Sequence, residues 1–383
     1  MILRIDIFAL ICGIVLFCPS FPERAFGGGF DNPTLGIKAM GMGLAPTGIA
    51  DDASAVFFNP GGMVFNEDNT LYAEVYTYYA PTDFQYTENS ATEKSNEAFI
   101  IPGFFICKRF DRWAFGCGSY IPYAGGGTAY DNFQGRGDLE SYAGWFAFTP
   151  AVAYRLGQTF SVGAGLSLYV GKMEGEELGV KSEFDGIAGY GGHIGFLYKP
   201  TDKFGVGFTA RSEIPIEMDG TLKVGDLKID SEVELTFPFS FTLGFGYQPV
   251  PNLTLGFSTC YALWDHMDKI TIRPKGQPAI DTPTGYKNNW VLGIGMEYRT
   301  NNRLTYRTGL KYDQGATRDK WLDPKSNDVD KLTPGIGIGY NITESVELNI
   351  AGLVVFGFEK EYDSKKYDQD DFAFIVGLRF QSH

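Results

Sequence analysis

Apolar and polar residues alternate with a period of two through most of the chain after residue 68. In residues 159–171, for example, Phe160, Val162 and Leu166 alternate with Gly, Ser and Thr. The same pattern recurs in four further segments, at 239–247, 290–298, 303–313 and 372–380. Period two predicts β-strands that each present one apolar face. No part of this region approaches the roughly 18 consecutive apolar residues of a membrane-spanning helix.

The placement of the aromatic residues favours a membrane protein over a soluble sandwich, which would also alternate. Trp290 and Tyr298 flank Leu292 and Ile294 on one face of their segment. A lipid-facing aliphatic band between two aromatic girdles is typical of outer-membrane barrels. A sheet in hydrocarbon must also close, because an open edge would leave backbone groups without hydrogen bonds. The sequence therefore predicts an all-β fold, a transmembrane antiparallel β-barrel of about fourteen strands.

The predicted connections alternate in length. Short ones include Gly157 and Asn301–Asn302. Long ones are expected near 81–97, 123–143, 172–183, 214–236, 274–287, 314–331 and 358–369. Short periplasmic turns and long outer loops are what bacterial barrels show, and an even strand number returns both ends of the barrel to the periplasm.

The first 27 residues have the features of a signal peptide. Arg4 precedes an apolar run from Ile7 to Phe17, and Ala25-Phe26-Gly27 fits a small-x-small cleavage site. The alternative is a signal anchor, but the run is too short to span a bilayer. Export is consistent with a location in the bacterial outer membrane. Cleavage would leave three cysteines, Cys107, Cys117 and Cys260, which we interpret as small strand residues.

Composition argues against several functions. The formal net charge of −14, from 32 Lys and Arg against 46 Asp and Glu, argues against a nucleic-acid partner. The three histidines, His193, His266 and His383, form no metal-ligand motif. We therefore expect no metal, no cofactor and no enzymatic activity. An outer-membrane hydrolase would need Ser, His and an orienting partner brought together in space.

The segment "GIADDASAVFFNPGG", residues 48–62, precedes the first predicted strand. Asp51 or Asp52 is expected to cap a short helix from Ser54 to Phe58. Asn59 should end that helix because it precedes Pro60, and Pro60-Gly61-Gly62 should turn into the first strand. Residues 28–68 are too few for a separate core. We expect them to fold inside the barrel as a plug, or hatch, the alternative being a periplasmic tail. This divides the chain into 1–27, 28–68 and 69–383.

Several motifs resemble the long-chain fatty acid transporter family of outer-membrane proteins, which includes aromatic-hydrocarbon channels. They are "GMGLAPTGIADDASAVFFNPGG" at residues 41–62, "YIPYAGG" at 120–126, "WDHMDKITI" at 264–272, "MEYRTNNRLTYRTGLKYDQGA" at 296–316 and "GIGYNITESVELNIAG" at 337–352. They span nearly the whole chain. The family usually has Asn-Pro-Ala where Asn59-Pro60 is followed here by Gly61.

The resemblance implies a fourteen-stranded barrel with an N-terminal hatch, an apolar substrate pocket and a lateral opening made by a kink in the third strand. Here that strand is "WAFGCGSYIPYAGGG". Its own residues agree, because Pro122 removes a ladder hydrogen bond and glycines permit bulges. These glycines are Gly116, Gly118, Gly125, Gly126 and Gly127, which have an alternative interpretation as ordinary lumen residues. We hypothesise that movement of the mature N-terminus near Phe30 connects pocket and opening.

The predicted function is passive uptake of hydrophobic molecules, either long-chain fatty acids or hydrocarbons. Segment 172–183 is short and acidic, so small hydrophobic compounds fit as well as long-chain acids. The other expected partners are outer-membrane lipids, and the chain is expected to be a monomer. The alternatives are a general diffusion porin and a surface receptor or adhesin.

Overall fold

The computed structural model describes residues 29–32, 35–66, 69–85, 92–300, 303–322, 328–362 and 365–382. The predicted signal peptide lies outside these residues. Nineteen strands form one sheet. They are β1 Asn69–Gln85, β2 Thr92–Phe110, β3 Trp113–Tyr130, β4 Leu139–Arg155, β5 Phe160–Glu177, β6 Val180–Thr201, β7 Phe204–Arg211, β8 Ile214–Val224, β9 Leu227–Phe237, β10 Ser240–Val250, β11 Leu253–Ala262, β12 Lys269–Pro274, β13 Ile280–Pro283, β14 Asn289–Arg299, β15 Leu304–Asp313, β16 Lys331–Asn341, β17 Val346–Gly357, β18 Lys360–Tyr362 and β19 Lys365–Ser382.

The helices are few and short. Within the described residues, two α-helices lie before the first strand, α1 at Ile37–Gly41 and α2 at Ala55–Phe58. The same ranges contain four 3₁₀ helices, at Pro60–Phe65, Phe133–Gly135, Trp264–His266 and Asp319–Trp321. Among the described residues, no helix is both long and apolar enough to cross a membrane.

The sheet closes into a barrel of fourteen antiparallel strands, because β1 pairs with both β2 and β19. The strands that follow one another around the wall are β1 to β7, β10, β11, β14 to β17 and β19. The segments β8, β9, β12 and β13 extend strands of the wall on the outer side. The predicted all-β barrel and its strand number are confirmed.

Burial follows the predicted alternation. Along β5, Ser161 and Ser167 point inward and are buried, whereas Leu166 and Leu168 are exposed on the outer face. Exposed aromatic residues sit near the short turns, as at Trp113, and near the outer ends. Further exposed aromatic residues at such positions include Tyr79, Phe110, Tyr190, Tyr198, Phe204, Tyr247, Trp290, Tyr298, Tyr306, Tyr340, Phe356 and Phe372. The outer face therefore has the lipid-facing composition of a membrane barrel.

Most of the predicted long loops are wrong in part, because strands extend well into them, including 123–143 and 358–369. β5 and β6 continue to Glu177 and from Val180, so most of 172–183 is a hairpin. β8 and β9 form another hairpin across 214–236, and 81–97 contains the outer ends of β1 and β2. Backbone ladders need no apolar face, so β5 and β6 continue into the acidic segment 172–183. In β8, by contrast, buried Ile214, Ile216 and Met218 alternate with exposed residues, and this strand pattern was overlooked.

The longer described part of the predicted hatch, residues 35–66, lies inside the barrel and is almost entirely buried. α1 packs against β15, β16 and β17, and the 3₁₀ helix Pro60–Phe65 packs against β4, β5 and β6. The backbone of the hatch lies close to the backbone of the wall. A Cβ atom on Gly207 of β7, for example, would lie 2.0 Å from Thr47 O of the hatch. The expectation of a plug within the lumen is confirmed, whereas the domain boundaries stay predictions.

Two local expectations within the hatch need correction. The N-cap of α2 is Ser54 rather than an aspartate, although Asp52 accepts a hydrogen bond from the Ser54 N–H. Asn59 ends α2 in an extended conformation, as predicted. The residues after it form a 3₁₀ helix through Phe65 instead of a simple turn. Pro60 suits its first turn because proline has no N–H to leave unsatisfied there.

The described cysteines are free thiols. Cys107 pairs with Gly116 across the hairpin, and Ile106 pairs with Cys117. Cys107 and Cys117 therefore point to opposite faces of the sheet, since side chains alternate along a strand.

Candidate functional site

Asn59 attaches the hatch to the barrel wall. Its side-chain nitrogen donates to Thr47 O at 3.0 Å and to Phe196 O of β6 at 2.9 Å. Its side-chain oxygen accepts from the Gly61 N–H at 3.1 Å. The Gly61 carbonyl in turn accepts from Ser161 Oγ of β5 at 2.5 Å. The Asn59-Pro60-Gly61 motif therefore joins two parts of the hatch to two neighbouring strands.

Asp51 and Asp52 have different partners. Asp52 accepts from the Ser54 hydroxyl at 2.5 Å, and burial raises the pKa of its carboxyl. Asp51 pairs with Lys38 Nζ at 2.8 Å, and Lys38 Nζ also lies 3.5 Å from Glu297 of β14. Burial acts to lower the pKa of Lys38, but Asp51 and Glu297 outweigh it and hold this pKa above its usual value. Lys38 is therefore a buried cation with two anionic partners.

The ion pairs continue across the periplasmic half of the wall. Glu297 contacts Arg307 at 2.7 Å and Arg299 at 3.0 Å. Arg307 lies 3.5 Å from Glu347, which also pairs with Arg379 at 3.0 Å. We call Lys38, Asp51, Glu297, Arg299, Arg307, Glu347 and Arg379 the charged network. It joins the hatch to four strands of the wall.

A cavity of about 1220 Å³ opens at the end of the barrel that carries the short turns. Its lining includes Lys38, Asp51, Glu297 and Arg307 of the charged network and backbone near Pro251. This cavity is polar. It is therefore different from the apolar pocket that the family resemblance implied.

The aromatic residues of the outer half of the lumen surround Phe30. Its ring centroid lies 5.6 Å from that of Trp145, 6.0 Å from Phe237, 6.3 Å from Trp264 and 6.2 Å from Tyr286. We call these five residues the aromatic cluster. Edge-to-face contacts at such distances are favourable, and burial of the rings adds to them.

β3 separates from β2 part-way along its length. The ladder between them runs from Phe110↔Trp113 to Phe104↔Ser119 and then ends. Beyond that point β3 remains paired with β4, and β2 remains paired with β1. We call the interval in which β2 and β3 lack a ladder the open seam. Pro102 on β2 and Pro122 on β3 border it, and neither has an N–H to donate.

Bulges in β3 accompany the open seam. The register with β4 shifts between Tyr120 and Tyr123, around Pro122, and again between Gly126 and Thr128. Gly127 has a φ of 69°, which L-residues rarely adopt. The register irregularities of the third strand therefore lie at Pro122 and Gly127, while the kink that makes a lateral opening stays a prediction.

The other predicted glycines lie elsewhere on β3. Gly116 and Gly118 belong to its regularly paired part, opposite Cys107 and Phe105 of β2. Gly126 pairs with Tyr142 at the edge of the second bulge. A Cβ atom on Gly125 would lie 2.1 Å from the Phe30 ring, so this glycine makes room for the aromatic cluster.

Residues 29–32, which we call the N-terminal segment, cover the free edge of β3. The Asn32 N–H donates to Pro122 O at 3.0 Å, and the Ala124 N–H donates to Phe30 O at 2.8 Å. The Asn32 side chain donates to Ile121 O at 2.8 Å. The N-terminal segment therefore forms hydrogen bonds with part of the β3 edge that β2 no longer pairs with.

The histidines give no indication of catalysis. His193 Nε2 lies 2.8 Å from Val56 O, so this histidine joins β6 to the hatch. His266 pairs with exposed Glu213 at 2.5 Å in the outer region, and His383 lies outside the described residues. The described ranges contain no cluster of His, Cys, Asp and Glu that could hold a metal ion.

Comparison with known proteins decides the family. The family model for outer membrane protein transport protein (OMPP1/FadL/TodX) matches residues 21–383. The chain belongs to this family. It is therefore a bacterial outer-membrane protein of a family of transport proteins.

Relatives of this OMPP1/FadL/TodX protein are distant in sequence. A long-chain fatty acid transport protein of Escherichia coli O6:H1 is 21% identical over 428 residues, covering 93% of this chain and 94% of the relative. Outer membrane protein P1 of Haemophilus influenzae is 22% identical over 413 residues, covering 88% of each.

Solved structures share the fold. A Pseudomonas aeruginosa FadL homologue has a TM-score of 0.81 at 19% identity, covering 93% of this chain and all of that chain. The Pseudomonas putida toluene transporter TodX has a TM-score of 0.76 at 20% identity, covering 92% of this chain and 99% of that chain.

Sequence reasoning missed most of the residues around the N-terminal segment. Trp264 lay within a motif that carried the family resemblance, but nothing predicted its contact with Phe30. Apart from being aromatic, Trp145, Phe237 and Tyr286 had no sequence feature that predicted a contact with Phe30. Pro102 was the one missed residue with a usable signal, because a proline inside a predicted strand indicates an edge.

Proposed function

We propose that this protein is a passive channel that takes up hydrophobic molecules and releases them sideways through the open seam. The end of the β2–β3 ladder after Phe104↔Ser119 is the observation that carries this proposal. The printed names of relatives support the chemical class, since one is a long-chain fatty acid transport protein and another a toluene transporter. We assign this chain fatty acids or hydrocarbons on that basis.

The physical advantage of a lateral route is that the substrate never returns to water. Transfer of apolar surface from hydrocarbon to water costs about 25 cal/mol per Å². The periplasmic end of the lumen is charged and polar, so an apolar molecule moving straight through would meet that cost. A sideways exit leads from the aromatic cluster into the bilayer core.

Phe30 is the proposed gate. The N-terminal segment covers the edge of β3 through three hydrogen bonds and places Phe30 among four aromatic rings. Its departure would free both the space that the ring occupies and the edge beside the open seam. The hatch, buried inside the barrel and packed against its wall, argues against a general diffusion porin.

The test is to straighten β3 by deleting Pro122 and Gly127, one at each bulge. Removal of both extra residues should restore pairing with β2 and reduce uptake of labelled oleate and toluene by a transport-deficient host about tenfold or more. Deletion of Ala188 is the matched control, because it removes a bulge from the continuous β5–β6 ladder. Two controls establish that each variant barrel is folded: the amount of the variant at the cell surface, and the shift of its gel migration on heating.

Wild-type rates in the straightened barrel would refute the lateral route. Should that variant fail to fold, a fatty acid with a photoreactive diazirine on its chain gives a second readout on the wild-type protein. Crosslinks at Pro102 and Ile121 support the proposal. Crosslinks confined to the periplasmic cavity contradict it.

A further inference from the structure

The short turn between β2 and β3 carries a cation on the outer face of the wall. Side chains alternate along β2, and Cys107 points inward, where its thiol lies 3.8 Å from Met63 O of the hatch. Lys108 therefore points outward, and its ammonium lies 5.1 Å from the centroid of the exposed Phe110 ring. Because the short turns of such barrels lie on the periplasmic side, Lys108 faces the inner leaflet of the outer membrane.

Lys108 is placed differently from several other cations at the same end of the barrel. Arg155, Lys199 and Lys203 of the neighbouring turns line the polar cavity inside the lumen. Throughout the described ranges, no Asp or Glu oxygen lies within 4.0 Å of the Lys108 ammonium. Lys108 is therefore a cation at the lipid interface that no described carboxylate neutralises.

The turn as a whole is positively charged. Lys108, Arg109 and Arg112 outnumber the single acid Asp111, although the formal net charge of the chain is −14. All four residues are exposed. Basic residues beside a membrane surface attract anionic lipids, so this turn has the charge that an anionic headgroup requires.

Aromatic rings adjoin Lys108 on the same outer face. Phe115 lies directly opposite Lys108 in the ladder between β2 and β3. The centroid of its ring lies 6.0 Å from that of Phe110 and 6.4 Å from that of Trp113, which in turn lies 4.6 Å from Tyr154. Aromatic girdles of barrels lie at the membrane interfaces. The Lys108 ammonium is therefore at the level of the phosphate groups of the inner leaflet.

An apolar strip connects Lys108 with the open seam. The ladder between β1 and β2 has no register shift, so every second residue of β2 shares the outward face of Lys108. These residues are Ile106, Phe104, Pro102 and Ile100, the last of which is 69% exposed.

The length of this strip matches one leaflet of the membrane. Pro102, which borders the open seam, precedes Lys108 by six residues, and a strand of that length spans about 20 Å. Because the strands of barrels tilt by roughly 40°, this corresponds to about 15 Å along the membrane normal. That distance is about half of the roughly 30 Å hydrocarbon core. An acyl chain whose headgroup lies at Lys108 therefore reaches the open seam.

We propose that the β2–β3 turn binds an anionic phospholipid of the inner leaflet. Its phosphate group lies at Lys108, and one acyl chain follows the apolar strip to the open seam. A zwitterionic phospholipid is a weaker ligand, because its own ammonium offsets the charge that the turn attracts. The lipid forms the membrane-side border of the open seam, and its binding is independent of transport.

The experiment compares phosphatidylglycerol with phosphatidylethanolamine, both with dioleoyl chains, as ligands of the purified full-length protein in detergent. Native mass spectrometry measures the affinity for the first bound lipid molecule. The wild-type protein should bind phosphatidylglycerol at least about fivefold more tightly, which is the contribution of one basic residue beside an anionic surface. Lys108→Gln should remove this preference by weakening phosphatidylglycerol binding alone, and Lys108→Arg should retain it.

Lys203→Gln is the matched control, because Lys203 is an exposed cation of another short turn but lines the cavity instead of facing lipid. It should leave the preference unchanged. Equal wild-type affinities for the two lipids would overturn the proposal. So would a preference that persists in Lys108→Gln, in protein shown to be folded by its gel migration, or that Lys203→Gln removes as well.

A crosslinking measurement locates the acyl chain. Phosphatidylglycerol with a photoreactive diazirine on one acyl chain should label Phe104 or Pro102 in the wild-type protein, and this labelling should fall about fivefold in Lys108→Gln. Labelling of the wall that leaves β2 unmarked would contradict the proposal.

Uptake in cells tests the proposed function separately. If oleate or toluene enters cells but the purified protein binds both lipids equally, the channel function stands and the lipid site fails. If phosphatidylglycerol binds as expected and neither compound enters, the lipid site stands and the channel function fails.

Discussion

The two halves of the barrel interior are built from different interactions. In the periplasmic half, the charged network fixes α1 to the wall through buried ion pairs such as Glu297–Arg307 at 2.7 Å. In the outer half, the aromatic cluster and three hydrogen bonds hold the N-terminal segment against β3. The first arrangement joins the hatch to four strands. The second involves only four described residues at the start of the chain.

This difference indicates which part can move. Separation of a buried ion pair leaves an uncompensated charge, which costs about 3–5 kcal/mol. Withdrawal of the N-terminal segment exposes apolar surface and backbone groups that a hydrophobic substrate can cover. We therefore expect the hatch to stay in place while the segment before it opens and closes.

The largest effect is expected from Glu297→Gln, which removes the anion shared by Lys38, Arg299 and Arg307. The free energy of unfolding should fall by about 3–5 kcal/mol. Denaturant unfolding of the barrel in lipid vesicles measures it. Glu183→Gln is the control, because Glu183 pairs with Lys223 on the exposed outer hairpins and such pairs contribute little. Equal losses in both variants would contradict the distinction between the two halves.

A smaller and more local effect is expected from Phe30→Ala. Phe30 is half-buried, so its truncation should cost less than the about 3–5 kcal/mol of a fully buried Phe. Only the N-terminal segment depends on this side chain. Hydrogen exchange of the Ala124 amide, which donates to Phe30 O, should become at least about tenfold faster, with global unfolding unchanged. Unchanged uptake in this variant would rule out Phe30 as the gate.

The smallest effect is a pH dependence of the N-terminal segment. Burial, followed by the charge of Asp313, raises the pKa of Asp31 from 3.8 to about 7, while Lys311 and Arg211 oppose this shift and Asp328 adds to it. Because the docked pKa is the higher one, the neutral acid favours docking. This contribution is complete below pH 4 and is lost as the pH rises through about 7.

Exchange of the Ala124 amide should therefore be slower at pH 5 than at pH 8, after correction for intrinsic rates. Asp31→Asn should remove this difference, because asparagine does not titrate. A difference that persists in Asp31→Asn would assign the effect to another group.

The fold could be predicted from local patterns because each pattern reports a local property. Period two in 159–171 indicates which face of a strand is apolar, and β5 has that face outward. Asn59-Pro60 indicated where α2 ends. The hatch followed from a segment that is too short for its own core and lacks alternation. The β8–β9 hairpin was missed although Ile214, Ile216 and Met218 alternate with polar or exposed residues, because the segment was interpreted as an outer loop.

The candidate site could be predicted only in part. Pro122 and Gly127 were found because proline and glycine disrupt ladders wherever they occur in a strand. The partners of Phe30 were not found, since Trp145, Phe237 and Trp264 come from parts of the chain far apart in sequence.

By itself, the sequence determined that this chain closes into an outer-membrane barrel, because alternation and backbone pairing allow an exposed apolar sheet no other solution in a membrane. The tertiary structure decided which interior groups meet. Glu297 faces Arg307 through the register of β14 and β15, while Arg211 of β7 lies over the ring of Phe57 in the hatch. Contacts across a lumen depend on strand tilt and stagger around the whole barrel, and no local stretch of residues encodes those quantities.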